Sequence, residues 1–151
     1  MNGYLLDRDV LGALENPAGN RNVHRWASGV ADDRLFLSAL TVVEASKGLV
    51  RLRLKARAPE DTTRLDAYQR SFDAIFGAFA GRILPVGGTV ALKWGSLLAL
   101  WDANVLDAGV AATAAVHGLV VATRNLCHFR NRGVALLDPF ANDPAQEPQP
   151  S

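Results

Sequence analysis

Short apolar runs that halt at a polar or charged residue alternate along this chain with longer stretches whose apolar residues recur every three or four positions. Tyr4-Leu5-Leu6 stops at Asp7, which predicts a buried strand with an acid at its carboxyl end. Asp9 is placed to cap a short helix running to about Leu14 and stopped near Asn16-Pro17. Asn20 to Ser28 reads as a second short helix with Val23, Trp26 and Ala27 on one face. Arg34 to Ser38 is the next strand. Thr41 opens a helix with Val42, Val43, Ala45, Leu49 and Leu52 as its apolar positions, and Pro59 closes that region after the basic residues Arg51, Arg53, Lys55 and Arg57.

Thr62 to Ala80 carries the longest helical period, through Leu65, Tyr68, Phe72, Ile75, Phe76 and Phe79, with Gly81 as its stop. The aromatic stripe is expected in the core, with part of it available as a groove for a partner helix. Ile83 to Val86 is a short extended piece broken by Gly87-Gly88. Helices follow over Thr89 to Leu100 and, after a connection at 102–104, over Asp107 to His117, ended by Gly118. Leu119 to Thr123 and Val134 to Leu137 are the last two strands, and Asp138-Pro139 turns out of the second. Strands alternating with helices predict an α/β sandwich around a mainly parallel sheet. Residues 1–141 are expected to form one domain, and the Pro- and Gln-rich segment 142–151 to be a disordered tail.

Composition narrows this picture. With 151 residues and 49% hydrophobic content the chain can build one proper core. Sixteen basic residues against 15 acidic give a net charge of +1, so any nucleic-acid contact must come from a local patch. One cysteine, Cys127, excludes an internal disulfide and a zinc cluster built on several thiolates. The N-terminus lacks the basic start and long apolar run of a signal peptide. No apolar run approaches the roughly 18–20 residues needed to span a bilayer. A soluble cytoplasmic protein is expected.

In open parallel sheets, sites form beyond the carboxyl ends of the strands. Asp7 follows the first strand, Glu44 lies near the start of the helix after the second, and Asp107 opens a later helix. If the sheet gathers those ends, three carboxylates share one pocket. Carboxylates so packed repel unless a cation joins them, and oxygen ligands select Mg²⁺, or else Mn²⁺, over zinc. Such an ion activates water and stabilises charge on a phosphodiester. Each acid also has a structural reading. Thr41 and Glu44 have the spacing of a capping box, Asp107 suits an N-cap, and Asp7 can bind turn amides.

The ordered set of segments resembles the PIN-domain family. Tyr4-Leu5-Leu6-Asp7-Arg8-Asp9-Val10-Leu11 is similar to its opening, and Leu35 to Ser38 followed by Thr41-Val42-Val43-Glu44 to its second strand and Glu-bearing helix. Gly48, Arg82 to Val86 and Trp94-Gly95 match its middle, and Asp107-Ala108-Gly109-Val110-Ala111-Ala112-Thr113-Ala114 is close to its Asp-Ala-x-Ile-Ala-Ala-Thr-Ala. His117-Gly118-Leu119, Thr123-Arg124-Asn125, Gly133-Val134 and Asp138-Pro139-Phe140 complete the pattern. Within the family it looks most like VapC-type toxins, including their FitB-like branch. The resemblance implies a PIN-like three-layer sandwich and a Mg²⁺-dependent endoribonuclease, a homodimer held inactive by a VapB-type antitoxin. It puts Asp7, Glu44 and Asp107 at metal-site positions, and Thr113 and Asn125 beside them. Arg124, Arg130 and Arg51 are candidates for RNA phosphate contacts.

The chain departs from that pattern in two places. His128 stands where the family has a fourth acid, which argues against a second metal; it could instead serve as a general acid or be a bystander. Asp9 replaces the family's Asn or Ser, and either caps a helix or restores negative charge to the site. Two other functions compete. Asp7-Arg8-Asp9 has the Asp-x-Asp spacing of aspartyl-nucleophile phosphatases, without their following Gly-Thr. The loss of the fourth acid also suits a catalytically impaired binding module that acts through an antitoxin or nucleic-acid complex.

Overall fold

A computed structural model describes residues 3–142 and 148–150. The chain runs through β1 (Tyr4–Leu6), α1 (Arg8–Glu15), α2 (Arg21–Ser28), a 3₁₀ turn at Asp32–Arg34, β2 (Leu35–Ser38) and α3 (Ala39–Lys55). It continues through α4 (Pro59–Ala78), β3 (Ile83–Leu84), α5 (Gly88–Leu100), α6 (Val105–His117), β4 (Val120–Ala122), α7 (Leu126–Phe129), β5 (Ala135–Leu137) and β6 (Gln149–Pro150). The strands form one sheet in the order β3-β2-β1-β4-β5-β6. Every pairing is parallel except β5 with β6.

Alternation along the strands sorts the core into two halves, because successive side chains leave opposite faces of a sheet. Leu5 and Val121 point into a cluster with Leu40, Val90, Leu97, Val110 and Phe129, supplied by α3, α5, α6 and α7. Leu6 and Ala122 point the other way, into Val10, Leu11, Val23, Leu37 and Phe79. Helices therefore cover both faces, and the three-layer α/β arrangement expected from the sequence is the one observed.

Helix starts differ from the sequence reading, each for a local reason. Asp7, not Asp9, caps α1, its carboxylate accepting the Arg8 N–H. The cap of α3 is Ser38, whose hydroxyl accepts the Leu40 N–H. Thr41 instead donates its hydroxyl to the carbonyl of Leu6, so the Thr41–Glu44 capping box does not form and Glu44 lies in the second turn of α3. Pro59 begins α4 rather than closing the preceding region, since a missing N–H costs nothing at a first helical position. Asp107 is the third residue of α6, whose cap position is held by Asn104 in the left-handed region at φ 53°. The single turn α7 was not expected from the pattern.

Phe72 and Phe76 pair at 4.3 Å between ring centroids, but no residue of α4 is fully buried. Only Ile75 and Phe76 of that helix, with Phe79 just beyond it, pack against the sheet. Of the tail expected to be disordered, residues 143–147 and 151 lie outside the described residues. Gln149 and Pro150 depart from the expectation by pairing with Leu136 and Ala135.

α6 packs close because its inner face is Ala108, Gly109, Ala111 and Ala112. A Cβ added at Gly109 would stand 2.2 Å from Cδ1 of Leu40 and 2.9 Å from the Trp94 ring. Gly109→Val is expected to destabilise the fold by about 1–3 kcal/mol through overpacking, read as a lower urea midpoint at unchanged slope.

Candidate functional site

Chain order reverses between β1 and β4, the two central strands, and such switch points open a crevice at the carboxyl ends of a parallel sheet. Asp7 leaves β1 and Thr123 leaves β4 at this crevice. One carboxylate oxygen of Asp7 accepts the Arg8 N–H at 2.8 Å, and the other accepts the Thr123 hydroxyl at 2.7 Å. The Asp7 amide donates to the Ala122 carbonyl at 3.0 Å, extending the sheet by one residue to aim the side chain. Asp7 is 4% exposed, and burial pushes its carboxyl above the ordinary range. The bonds from Thr123 and Arg8 pull it back, and the charges of Asp107 and Asp9 push it up again.

Glu44 is half-buried. Burial raises its carboxyl most, then the charges of Asp7 and Asp107, against Lys47 and Arg8. Asp107 is raised by burial as well and pulled down chiefly by His128, whose Nδ1 stands 2.9 Å from Oδ2. Asp9, exposed on α1, adds its charge to both Asp7 and Asp107 and accepts the Asn125 side-chain amide at 2.6 Å. The Asn125 backbone N–H donates to the Thr123 hydroxyl at 3.0 Å. The fold thus brings Asp7, Glu44, Asp107 and Asp9 into one field of mutual repulsion, with Asn125 and His128 bonded to two of them.

The Thr113 hydroxyl makes no hydrogen bond to an acid among the described residues. Its buried hydroxyl donates to the Gly109 carbonyl and meets the Ser38 hydroxyl at 3.3 Å, tying α6 to the cap of α3. Those are the helices that carry Asp107 and Glu44. Thr123, Ser38 and Arg132 were missed as site residues in the sequence. Thr123 could have been found as a polar residue ending an apolar strand. Arg124 and Arg130 are exposed at either end of α7, with the Arg124 guanidinium 5.0 Å from the Phe140 ring centre. Arg51 is exposed on α3, but Arg53 bonds to Gln69 and Arg57 to the carbonyls of Leu54 and Ala56, so half of that basic stretch serves local structure. A cleft of about 260 Å³ between α2 and the 138–142 turn holds none of the acids.

Among the described residues, no three His, Cys, Asp or Glu side chains are gathered tightly enough to enclose an ion by themselves. The donor set nevertheless fits a hard divalent cation, since it is carboxylate oxygen whose crowding a positive charge would relieve. An ion that keeps several waters needs only one or two direct carboxylates. Both Asp7 oxygens already accept hydrogen bonds, which is a poor setting for a nucleophile that must attack a phosphate.

The PIN domain pattern matches residues 4–131. The chain belongs to the PIN domain family. Within it, the chain stands with the VapC and FitB toxins. It is 30% identical over 141 residues to the VapC ribonuclease Y4jK of Sinorhizobium fredii, covering 90% of this chain and 96% of that protein. It is 31% identical to the toxin FitB of Neisseria gonorrhoeae, covering 90% and 97%. The structure of FitAcB from Neisseria gonorrhoeae superposes with a TM-score of 0.74 at 30% identity, covering 91% of this chain and 98% of that one.

Because burial raises Asp7, Glu44 and Asp107 together, the folded chain retains protons that the unfolded chain has released. Stability therefore falls as pH rises from the ordinary values of 3.8 and 4.5 through the raised folded values, and the loss persists above them. Asp7→Asn removes one contributor. It is expected to raise the melting temperature at neutral pH, with the gain fading as pH falls through the raised folded value and gone below about pH 4. Thermal melts of both proteins across that range check the sign.

Proposed function

We propose that this protein is a metal-dependent endoribonuclease and the toxin of a toxin–antitoxin pair, acting on RNA in the cytoplasm. The observation that carries this reading is the convergence of Asp7, Glu44 and Asp107 at the switch point of a PIN-domain sheet. These three carboxylates would hold Mg²⁺, or Mn²⁺ in its place. Bound there, the ion would supply an activated water and neutralise charge on the phosphodiester. Thr123 and Arg8 fix the rotamer of Asp7, and Asn125 holds Asp9 at the rim. Arg124, Arg130 and Arg51, all exposed, offer phosphate contacts; with a net charge of +1, such a patch must do the work of attraction locally. The FitAcB structure of a similar toxin supports an antitoxin as partner, and we extend the proposal to an antitoxin of VapB type and to a homodimeric toxin.

The purified chain, freed of any partner, is expected to cut RNA with Mg²⁺ or Mn²⁺ and to stop when a chelator is added. Asp7→Asn and Asp107→Asn should each lose activity beyond the roughly 10–100-fold that removal of an outer hydrogen-bond partner costs, while Thr123→Val should fall within that range. Cleavage by both acid variants at the wild-type rate sinks the three-acid reading. No cleavage with either metal points to a binding module, a reading favoured by the His128 imidazole standing against Asp107.

A further inference from the structure

Arg132 is 5% exposed, and ionised side chains are rarely buried without a carboxylate bonded to them. Its direct partners are two backbone carbonyls. Nε donates to His128 at 2.7 Å and Nη2 to Ala103 at 3.0 Å. Nη1 is buried with no hydrogen-bond partner among the described residues. Asp107 is the acid whose charge it feels, and that charge favours its ionised form against burial.

The backbone is bent to put it there. Among the described residues, the non-glycine positions with positive φ are Asn104 at 53° and Asn131 at 62°. Asn104 follows Ala103, whose carbonyl Arg132 holds; Asn131 precedes Arg132, and Gly133 after it has φ 69°. Asn and Gly are the residues that tolerate this region, and departures of this kind gather at functional sites. The two anchored carbonyls belong to the segments that set the acid: Ala103 lies in the loop that opens α6, and His128 contacts Asp107. Arg132, Ala103, the start of α6, Asp107 and His128 thus close a ring. α6 has no side-chain cap of its own, so Arg132 braces its entry.

We infer that Arg132 is a positioning residue and a built-in cation. It braces the entry of α6 that carries Asp107, and its fixed charge, beside the His128 imidazole that contacts Asp107, disfavours a second divalent ion, so that the acidic centre takes one rather than two. The inference rests on the metal-dependent reading above. A divalent ion placed beside a fixed guanidinium is repelled, and the repulsion is strong where water is excluded. His128 stands where a carboxylate could offset it, and the other nearby acid, Asp9, is already engaged by the Asn125 side-chain amide.

The test is a count of Mn²⁺ per chain by calorimetry and electron paramagnetic resonance on the full chain. The wild type should bind one ion. His128→Asp with Arg132→Met should bind two, and His128→Asp with Arg132→Lys should stay at one, since only the first pair removes the charge. A purely structural role would affect both pairs alike. Two ions of comparable affinity in the wild type overturn the inference, as do double variants that bind equally. If the Arg132→Met pair fails to fold, Arg132→Gln alone decides, because its amide keeps a donor for the braced carbonyls while removing the charge. Loss of repulsion should tighten Mn²⁺ several-fold, and weaker or unchanged binding overturns it. Wild-type protein that binds no Mn²⁺ overturns the metal-dependent reading along with the inference. Two ions together with metal-dependent RNA cleavage would overturn the inference alone.

Discussion

Burying Asp7 at the end of β1 sets a constraint that the surrounding structure has to meet. A carboxylate at 4% exposure has lost nearly all contact with water, and two donated hydrogen bonds return only part of that loss. Glu44 and Asp107 then add like charge to the same region. A fold selected for stability alone would not assemble such a group. The arrangement makes sense if the cost is offset when something cationic arrives, and this links the electrostatics of the site to its proposed chemistry.

Holding the acids together demands rigidity from the elements that bear them. β1 and β4 are central parallel strands flanked by neighbours on both sides. α3 and α6 are joined by the Ser38–Thr113 hydroxyl contact and by the close approach at Gly109. Small residues along α6 have a purpose here beyond helix propensity: they let it sit deep enough for Asp107 to reach the crevice. Positioning and packing are therefore one problem, and a volume change at the α6 face should be felt at the acids.

Much of this was legible in the sequence. Short apolar runs ending in Asp7, Ser38 and Thr123 marked three of the strands, because a strand buried on both faces must stop where the polar residue begins. The acids could be singled out because each stood at a strand end or near a helix start. Helix caps were less legible: Asp7, Ser38 and Thr41 are all competent caps, and only tertiary partners decided among them. Thr41 was drawn away by the Leu6 carbonyl, which no local pattern announces. Arg132 was invisible for a similar reason. An arginine between Asn and Gly reads as a surface loop, and its burial depends on carbonyls of Ala103 and His128 brought near by the fold.

The short strand at the far end of the chain has a consequence of a different kind. β5 would otherwise offer an open row of backbone donors and acceptors to any passing strand, the usual seed of edge-to-edge association. Gln149 and Pro150 cover part of that row, and a proline has no N–H with which to extend the ladder outward. At the opposite border, β3 is only Ile83 and Leu84, too short to template much. Both borders of the sheet are thus blunted, so a high protein concentration should favour association through helical faces over sheet stacking into fibres.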